Sequence, residues 1–416
     1  MSPSPSEPAP LRIPTLELVS MVAGLMALNA LAIDVMLPAL SEIATDLGVT
    51  NANDQQLVIV AYIIGFGAPQ LVFGPLADRV GRRPVLFSSL VGYSVTGLAC
   101  VAAGSFEQLL FLRFVQGMFA SGCRVVAVTV VRDLFAGPRM ARIMSLVMTV
   151  FMVVPIIAPA IGQGVLLVAP WQWCFVVLGF AGAGMFIWTW FRLPETLPRE
   201  RRSGRGVREV LGAYGMVLRH RATFGYMVAS GVIFGALFAF ISASEQIFRD
   251  VFHQGESFAL WFAGVALALA LTNFANSRLV GRFGMRRLSH LALVSFIAVS
   301  AALFATMALA GEHLLLFYPL FALAFALFGL IGANFNAIAM EPLGRIAGTA
   351  SAAYGFATTT VSGVLGGLIA RAFDGSTLPV LAGYVGLGLV ALAAVATAER
   401  GKLFQKDVPP PAPGSS

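Results

Sequence analysis

Leu76 to Pro84 reads L-A-D-R-V-G-R-R-P, and Leu279 to Arg287 reads L-V-G-R-F-G-M-R-R. Leu, Arg, Gly and Arg recur at matching places, 203 residues apart. Each string joins two long apolar stretches, and each follows the second such stretch of its half of the chain. A loop repeated together with its flanks means a repeated bundle. The simplest reading is a six-helix unit duplicated once.

The apolar stretches are long enough for this. A spanning helix needs about 20 largely apolar residues. Twelve such segments can be marked, at 17–40, 55–77, 85–106, 108–131, 143–168, 171–191, 222–244, 257–277, 288–310, 314–338, 346–370 and 377–398. Backbone in lipid must satisfy its own hydrogen bonds, so they are read as helices. A transmembrane barrel would show alternating segments of about 10 residues instead. Composition agrees: 58% of the 416 residues are apolar and 11% charged, against about 25% charged in soluble domains. The expected fold is an all-α membrane protein of twelve transmembrane helices in two six-helix bundles. The bundles are placed at 15–193 and 222–399, with a linker at 194–221. Pro- and Ser-rich stretches at 1–14 and 400–416 read as disordered tails.

Lys and Arg in the loops set the orientation. With the N-terminus inside, 23 of the 27 basic residues fall on the cytoplasmic side. Arg249 and Arg371 then lie outside, and Arg113 and Arg124 lie within the fourth helix. This satisfies the positive-inside rule, so both termini are expected in the cytoplasm. The net charge of +7 is scattered in short loop clusters rather than gathered on one face, which argues against a nucleic-acid partner. The arginines of the linker, with an amphipathic piece around Val207–Leu218, are expected to rest on anionic lipid. Cys100, Cys123 and Cys174 lie in apolar stretches without metal-ligand spacing, so no metal is expected.

The fuller string G-P-L-A-D-R-V-G-R-R-P, Gly74 to Pro84, closely resembles the signature loop of the major facilitator superfamily. Leu109, Arg113, Gln116, Gly117 and Ala120 are similar to its fourth-helix motif. A-I-D-V-M-L-P-A-L (Ala32–Leu40), V-V-R-D-L-F (Val130–Phe135), F-I-S-A-S (Phe240–Ser244) and A-G-T-A-S-A (Ala347–Ala352) resemble the Bcr/CflA group of drug-resistance antiporters. Members of that group export compounds such as bicyclomycin or chloramphenicol-type drugs. Two places depart from the pattern. The fifth-helix motif, usually G-P-x-x-G-G, reads A-P-A-I-G-Q from Ala158 to Gln163, and Glu245 stands where the group often has Pro. The superfamily is the type example of parallel repeats with a substrate site near the bilayer midplane, which is where the resemblance places it here. The resemblance also implies a cytoplasmic latch built from Gly74, Asp78, Arg79, Gly81, Arg82 and Arg83. The glycines would supply turns and close approach. Gly281 replaces Asp78 in the repeat, so the latch is expected to be asymmetric.

Only Asp34, Arg113 and Arg124 are ionisable residues well inside the marked spans. Such residues cost about 2.5–3.5 kcal/mol on insertion scales and usually face a cavity or a partner. Asp34 and Arg113 both fall about 9 Å below the outer boundary at 1.5 Å per residue, so they are expected to interact or to compete for protons. Eleven residues, near three turns, put Arg113 and Arg124 on one helix face with Gln116. Asp34 is read as the proton carrier and Arg113 as its coupling partner. Burial penalises a charged carboxylate while a nearby guanidinium favours it, so the hold on a proton can differ between states. Cavity candidates are Tyr62, Phe66, Gln70, Gln116, Arg124, Phe238, Ser242, Asn334, Asn336 and Tyr354. Each has a packing or interhelical-glue reading as well. Pro155 and Pro159, with Gly162, are expected to let helix five flex, or to kink it statically.

The function implied is proton-coupled export of small amphipathic compounds from a bacterial inner membrane, by a single chain with no cofactor beyond the proton. A major facilitator importer, or an exporter of a metabolite, is the alternative. His220, His253, His290 and His313 are scattered, and no phosphate-binding Gly-rich loop appears, so neither an intramembrane enzyme nor direct ATP hydrolysis fits.

Overall fold

The computed structural model describes residues 13–135, 137–202 and 207–405, which form helices and connecting turns with no strand. Eleven helices are long and apolar enough to cross a membrane, and one bent pair supplies the twelfth span. They are α1 Thr15–Asp46, α2 Ala52–Gly67 with Gln70–Val80, α3 Arg82–Ala102, α4 Phe106–Leu134, α5 Arg142–Leu166 and α6 Gln172–Arg192. The second set is α7 Arg221–Val251, α8 Phe258–Phe283, α9 Met285–Ala310, α10 Leu314–Leu343, α11 Ala350–Arg371 and α12 Leu378–Ala398. This is the all-α membrane architecture that the hydropathy pattern predicts.

Local chemistry explains the irregular places. The 41° bend of α2 falls at Ala68–Pro69. A proline has no N–H for the carbonyl four residues back, and its ring presses on that carbonyl. Pro155 and Pro159, by contrast, lie inside one unbroken helix, Gly137–Leu166. The end of α7 widens instead, into a π-helical turn at Ile247–Val251. The α-helical part of α7 itself runs to Gln246, so Glu245 joins Asp34, Arg113 and Arg124 as a charge within a span. The residue is buried. Ending the span at 244 on composition alone was what left it out.

The chain divides into two compact units. Unit 1 holds 13–48 and 61–202; unit 2 holds Val49–Val60 and 207–405. The first of these segments joins unit 2 through polar bonds. Asn53 Nδ2 donates to the carbonyls of Arg371 and Phe373, Asp54 pairs with Arg371 at 2.8 Å, and Gln56 Nε2 donates to Gln246 Oε1. The linker carries a helix at Val207–Arg219, with Ala213 and Val217 buried and Leu211 and Leu218 exposed, as suits a helix lying at a membrane surface. Residues 1–12 and 406–416, most of the two tails expected to be disordered, lie outside the described residues. The start of the tail expected to be disordered from Arg400 is instead ordered through residue 405. The Phe404 N–H donates to His290 Nδ1 at 3.1 Å.

Burial is uneven among the spans. In α1, α7 and α4 the buried share is 78%, 61% and 56%, against 22% in α5 and α8. Asp34, Glu245 and Arg113 stand on these three well-buried helices. The outer two present Leu, Phe and Val to lipid.

Candidate functional site

In unit 1 polar and aromatic residues of α2 and α4 form one connected chain that meets α1 at the Ala32 carbonyl. Gly65 on α2 and Gly117 on α4 make it possible, because a Cβ at either would run into the facing helix's carbonyl, that of Phe114 or of Tyr62. With the helices this close, the fully buried Arg113 guanidinium lies over the Tyr62 ring at 4.4 Å and near Phe175 at 5.7 Å. It donates to Gln116 Oε1 at 2.7 Å and to the Ala32 carbonyl at 2.8 Å. Tyr62 stacks on Phe66, Phe66 sits beneath Arg124 at 5.6 Å, and Gln70 Nε2 donates to the Phe66 carbonyl. All six unit 1 residues picked for the cavity or its coupling on α2 and α4 thus fall along one path.

Asp34 ends the first helical stretch of α1, Thr15–Asp34. It is buried, at 4% exposure, and carries no hydrogen bond or ion pair among the described residues. The matching depth of Asp34 and Arg113 is reflected in the bond to Ala32, two residues away. Arg113 nevertheless engages a backbone carbonyl and not the carboxylate. Depth along a helix sets height, not direction around the axis. Just past Asp34, Gly162 of α5 lets that helix reach the Val35 carbonyl, where a side chain would collide. Gly162 therefore serves close packing against the turn that follows Asp34.

The unit 2 candidates are not joined in this way. Asn334 donates to Asn276 Oδ1 at 2.8 Å, and Tyr354 shares a 2.6 Å hydrogen bond with Ser230. Ser242 is buried with an Oγ that has no partner among the described residues. Phe238 packs against Gly366, while Asn336 is exposed. Asn276 and Ser230 were not singled out from sequence, and neither was Glu245, whose Oε1 accepts from Arg249 at 2.6 Å while Oε2 has no hydrogen-bond partner among the described residues.

At the loop 74–84 the latch residues separate. Arg82 is 4% exposed and pairs with Asp78 at 2.6 Å and Asp133 at 2.8 Å. The Arg82 and Arg83 N–H groups both donate to Glu195. Gly81, at φ +115°, makes the turn that presents those groups. Gly74 does not act as expected. It lies within the second helix of α2, with open space where a Cβ would stand. Arg79 is exposed and forms no ion pair among the described residues.

The family model for the Major Facilitator Superfamily matches residues 22–367. The chain belongs to that superfamily. A Bacillus subtilis protein, the uncharacterized MFS-type transporter YdgK, is 31% identical over 357 residues, covering 85% of this chain and 88% of the relative. A bicyclomycin resistance protein homolog of Haemophilus influenzae is 29% identical over 364 residues, covering 86% and 89%. Among solved structures, a D-xylose–proton symporter superposes with a TM-score of 0.70 at 14% identity, covering 94% of this chain and 99% of that one. The last likeness concerns fold alone. This major facilitator is a multi-pass membrane transporter whose relatives bear drug-resistance names, as its resemblance to the Bcr/CflA group implied.

Asp133 and Glu195 were the functional candidates that sequence reasoning missed in unit 1. Asp133 was within reach, since it lies in the quoted string V-V-R-D-L-F. Its partner stands 51 residues earlier, and nothing local indicates that distance.

Proposed function

We propose that this major facilitator exports small amphipathic compounds in exchange for protons, with Asp34 as the carrier. The observation that carries this reading is a carboxylate buried in α1 without a partner, close in sequence to the carbonyl that holds Arg113. A paired carboxylate would be held in its charged form. An unpaired one in an apolar surround is free to take and release a proton as water reaches it. Arg113 of α4, fixed by Gln116 and the Ala32 carbonyl, holds a positive charge against the same stretch of α1. The drug-resistance name of the Haemophilus influenzae relative supports the substrate class. The aromatic and amide path from Gln116 to Arg124 suits amphipathic solutes in character.

The driving force is adequate. A proton moving down about 100 mV gains about 2.3 kcal/mol, and one pH unit adds about 1.4 kcal/mol. Together, about 3.7 kcal/mol sustains roughly a few hundredfold gradient of a neutral solute at 1:1 exchange. We place the protein in a bacterial inner membrane as a monomer, both termini cytoplasmic.

The test is accumulation of labelled bicyclomycin- and chloramphenicol-like compounds in cells expressing the wild type or Asp34→Asn, with a protonophore added midway. Wild-type cells are expected to hold less drug, and both the protonophore and the substitution should erase the difference. Full export by Asp34→Asn that is present in the membrane removes Asp34 from the coupling. Greater accumulation in wild-type cells replaces export with import.

A further inference from the structure

Beside the loop 74–84, unit 1 holds a cavity of about 750 Å³. Arg83, Phe87, Trp190, Glu195, Arg199 and Arg202 contribute its walls. Three guanidiniums therefore face one carboxylate, and that carboxylate is already engaged. Glu195 Oε1 accepts from the N–H groups of Arg82 and Leu197, Oε2 accepts from the Arg83 N–H, and Arg202 comes only to 3.9 Å.

Two donors are left over. The Nε atoms of Arg83 and Arg202 are shielded from water and have no acceptor among the described residues. Buried guanidinium N–H groups without acceptors are costly and rare. Both arginines line this one basic cavity, where guanidiniums outnumber the carboxylate three to one, and that excess of positive charge suits an anion with several acceptor oxygens. A phosphate has that form, and arginine forks match it.

The surroundings identify the source. Trp190 and Phe191 at the end of α6 are 49% and 78% exposed. Trp188 and Arg192 beside them both bond Glu17 near the start of α1. Tryptophan, aromatic and basic residues gathered at span ends mark the depth of lipid headgroups. The cavity opens at that depth, with Phe87 and Trp190 as apolar walls for the glycerol end of a lipid.

We propose that this cavity binds the phosphodiester of an anionic phospholipid, clasped by Arg83 and Arg202 with Arg199 at its mouth. An occupant bonded to both would fasten the linker at Arg202 to the turn between α2 and α3. The site is independent of which solute is carried.

Native mass spectrometry of the full-length protein, released from detergent with phosphatidylglycerol or phosphatidylcholine, tests this. Wild type is expected to retain phosphatidylglycerol in preference to phosphatidylcholine. Arg83→Gln/Arg202→Gln should weaken that retention roughly thirtyfold, the worth of two basic contacts to an anionic headgroup. Arg202→Gln alone, outside the spans, should weaken it about fivefold and serves if the double variant does not fold. Unchanged retention in Arg202→Gln overturns the site. An equal loss in Arg208→Gln, on the linker helix, overturns it in favour of diffuse surface charge. Displacement of the lipid by millimolar glycerol 3-phosphate, with binding of that compound to lipid-free protein, assigns the cavity to a soluble phosphate and overturns the lipid reading.

Discussion

Arg82 of unit 1 and Arg286 of unit 2 stand one register apart in the duplicated loop, yet they occupy the same kind of place. Gly81 and Gly284 align and turn alike, at φ +115° and +82°. With them superimposed in register, Arg82 falls on Met285 and Arg286 falls on Arg83. Arg82 is met by Asp133 near the end of α4, and its own N–H by Glu195 after α6. Arg286 is met by Glu341 near the end of α10 and Glu399 after α12, each at 3.0 Å. In both copies a loop arginine thus pairs with a carboxylate near the end of the fourth helix, one residue apart in register, while the carboxylate after the sixth helix meets the guanidinium in unit 2 and the loop backbone in unit 1. The copies differ in depth. Arg82 is 4% exposed and has Asp78 as a further partner, whereas Arg286 is 19% exposed and has Gly281 at the matching place.

The deeper copy should be the costlier to break. Arg82→Ala leaves Asp133 and Asp78 without their shared cation; Asp78 is 43% exposed and screened by water, so the loss falls below that of a fully buried pair, at roughly 2–4 kcal/mol. Thermal unfolding of the purified protein in detergent reads this directly. Arg286→Ala is expected to cost about 1–3 kcal/mol, because Glu341 is nearly half exposed and water screens it. If Arg286→Ala proves the more damaging, depth does not govern the two copies and the comparison fails.

How much of this the sequence carried depends on the range of the interaction. The twelve spans were legible because lipid imposes a length and an apolarity on every one. The repeat was legible because its glycines and arginines sit in one short string. The bend in α2 had a local signal, Pro69, that a hydropathy window passes over. Asp34, Arg113 and Arg124 stood out as charges among apolar residues. Glu245 did not, because α7 continues through Gln246 beyond the last run of apolar residues, and composition does not mark that end. Least legible were pairs closed across the fold. Asp133 meets Arg82 over 51 residues and Glu399 meets Arg286 over 113, distances that only the packed helices bring to contact.

The smallest effect probes what unit 2 has added. Glu399 Oε1 accepts from both Arg286 and the Tyr226 hydroxyl, the latter at 2.7 Å. Tyr226 in turn lies 2.8 Å from His290 Nε2. Because His290 Nδ1 accepts from the Phe404 N–H, a neutral imidazole carries its proton on Nε2 and donates it to Tyr226. A directed chain thus runs from the backbone after α12, through His290 and Tyr226, to the Glu399 carboxylate. Unit 1 uses backbone N–H groups at the corresponding carboxylate instead. Tyr226→Phe removes one hydroxyl from that chain and should cost about 1 kcal/mol, the net worth of a hydrogen bond. In the Arg286→Ala background the same change should cost a different amount, since both groups act on one oxygen and neighbours that share a partner do not add. Additive losses in that double-mutant cycle would separate the tyrosine from the ion pairs, leaving Arg286 and its two carboxylates as the whole of the second copy.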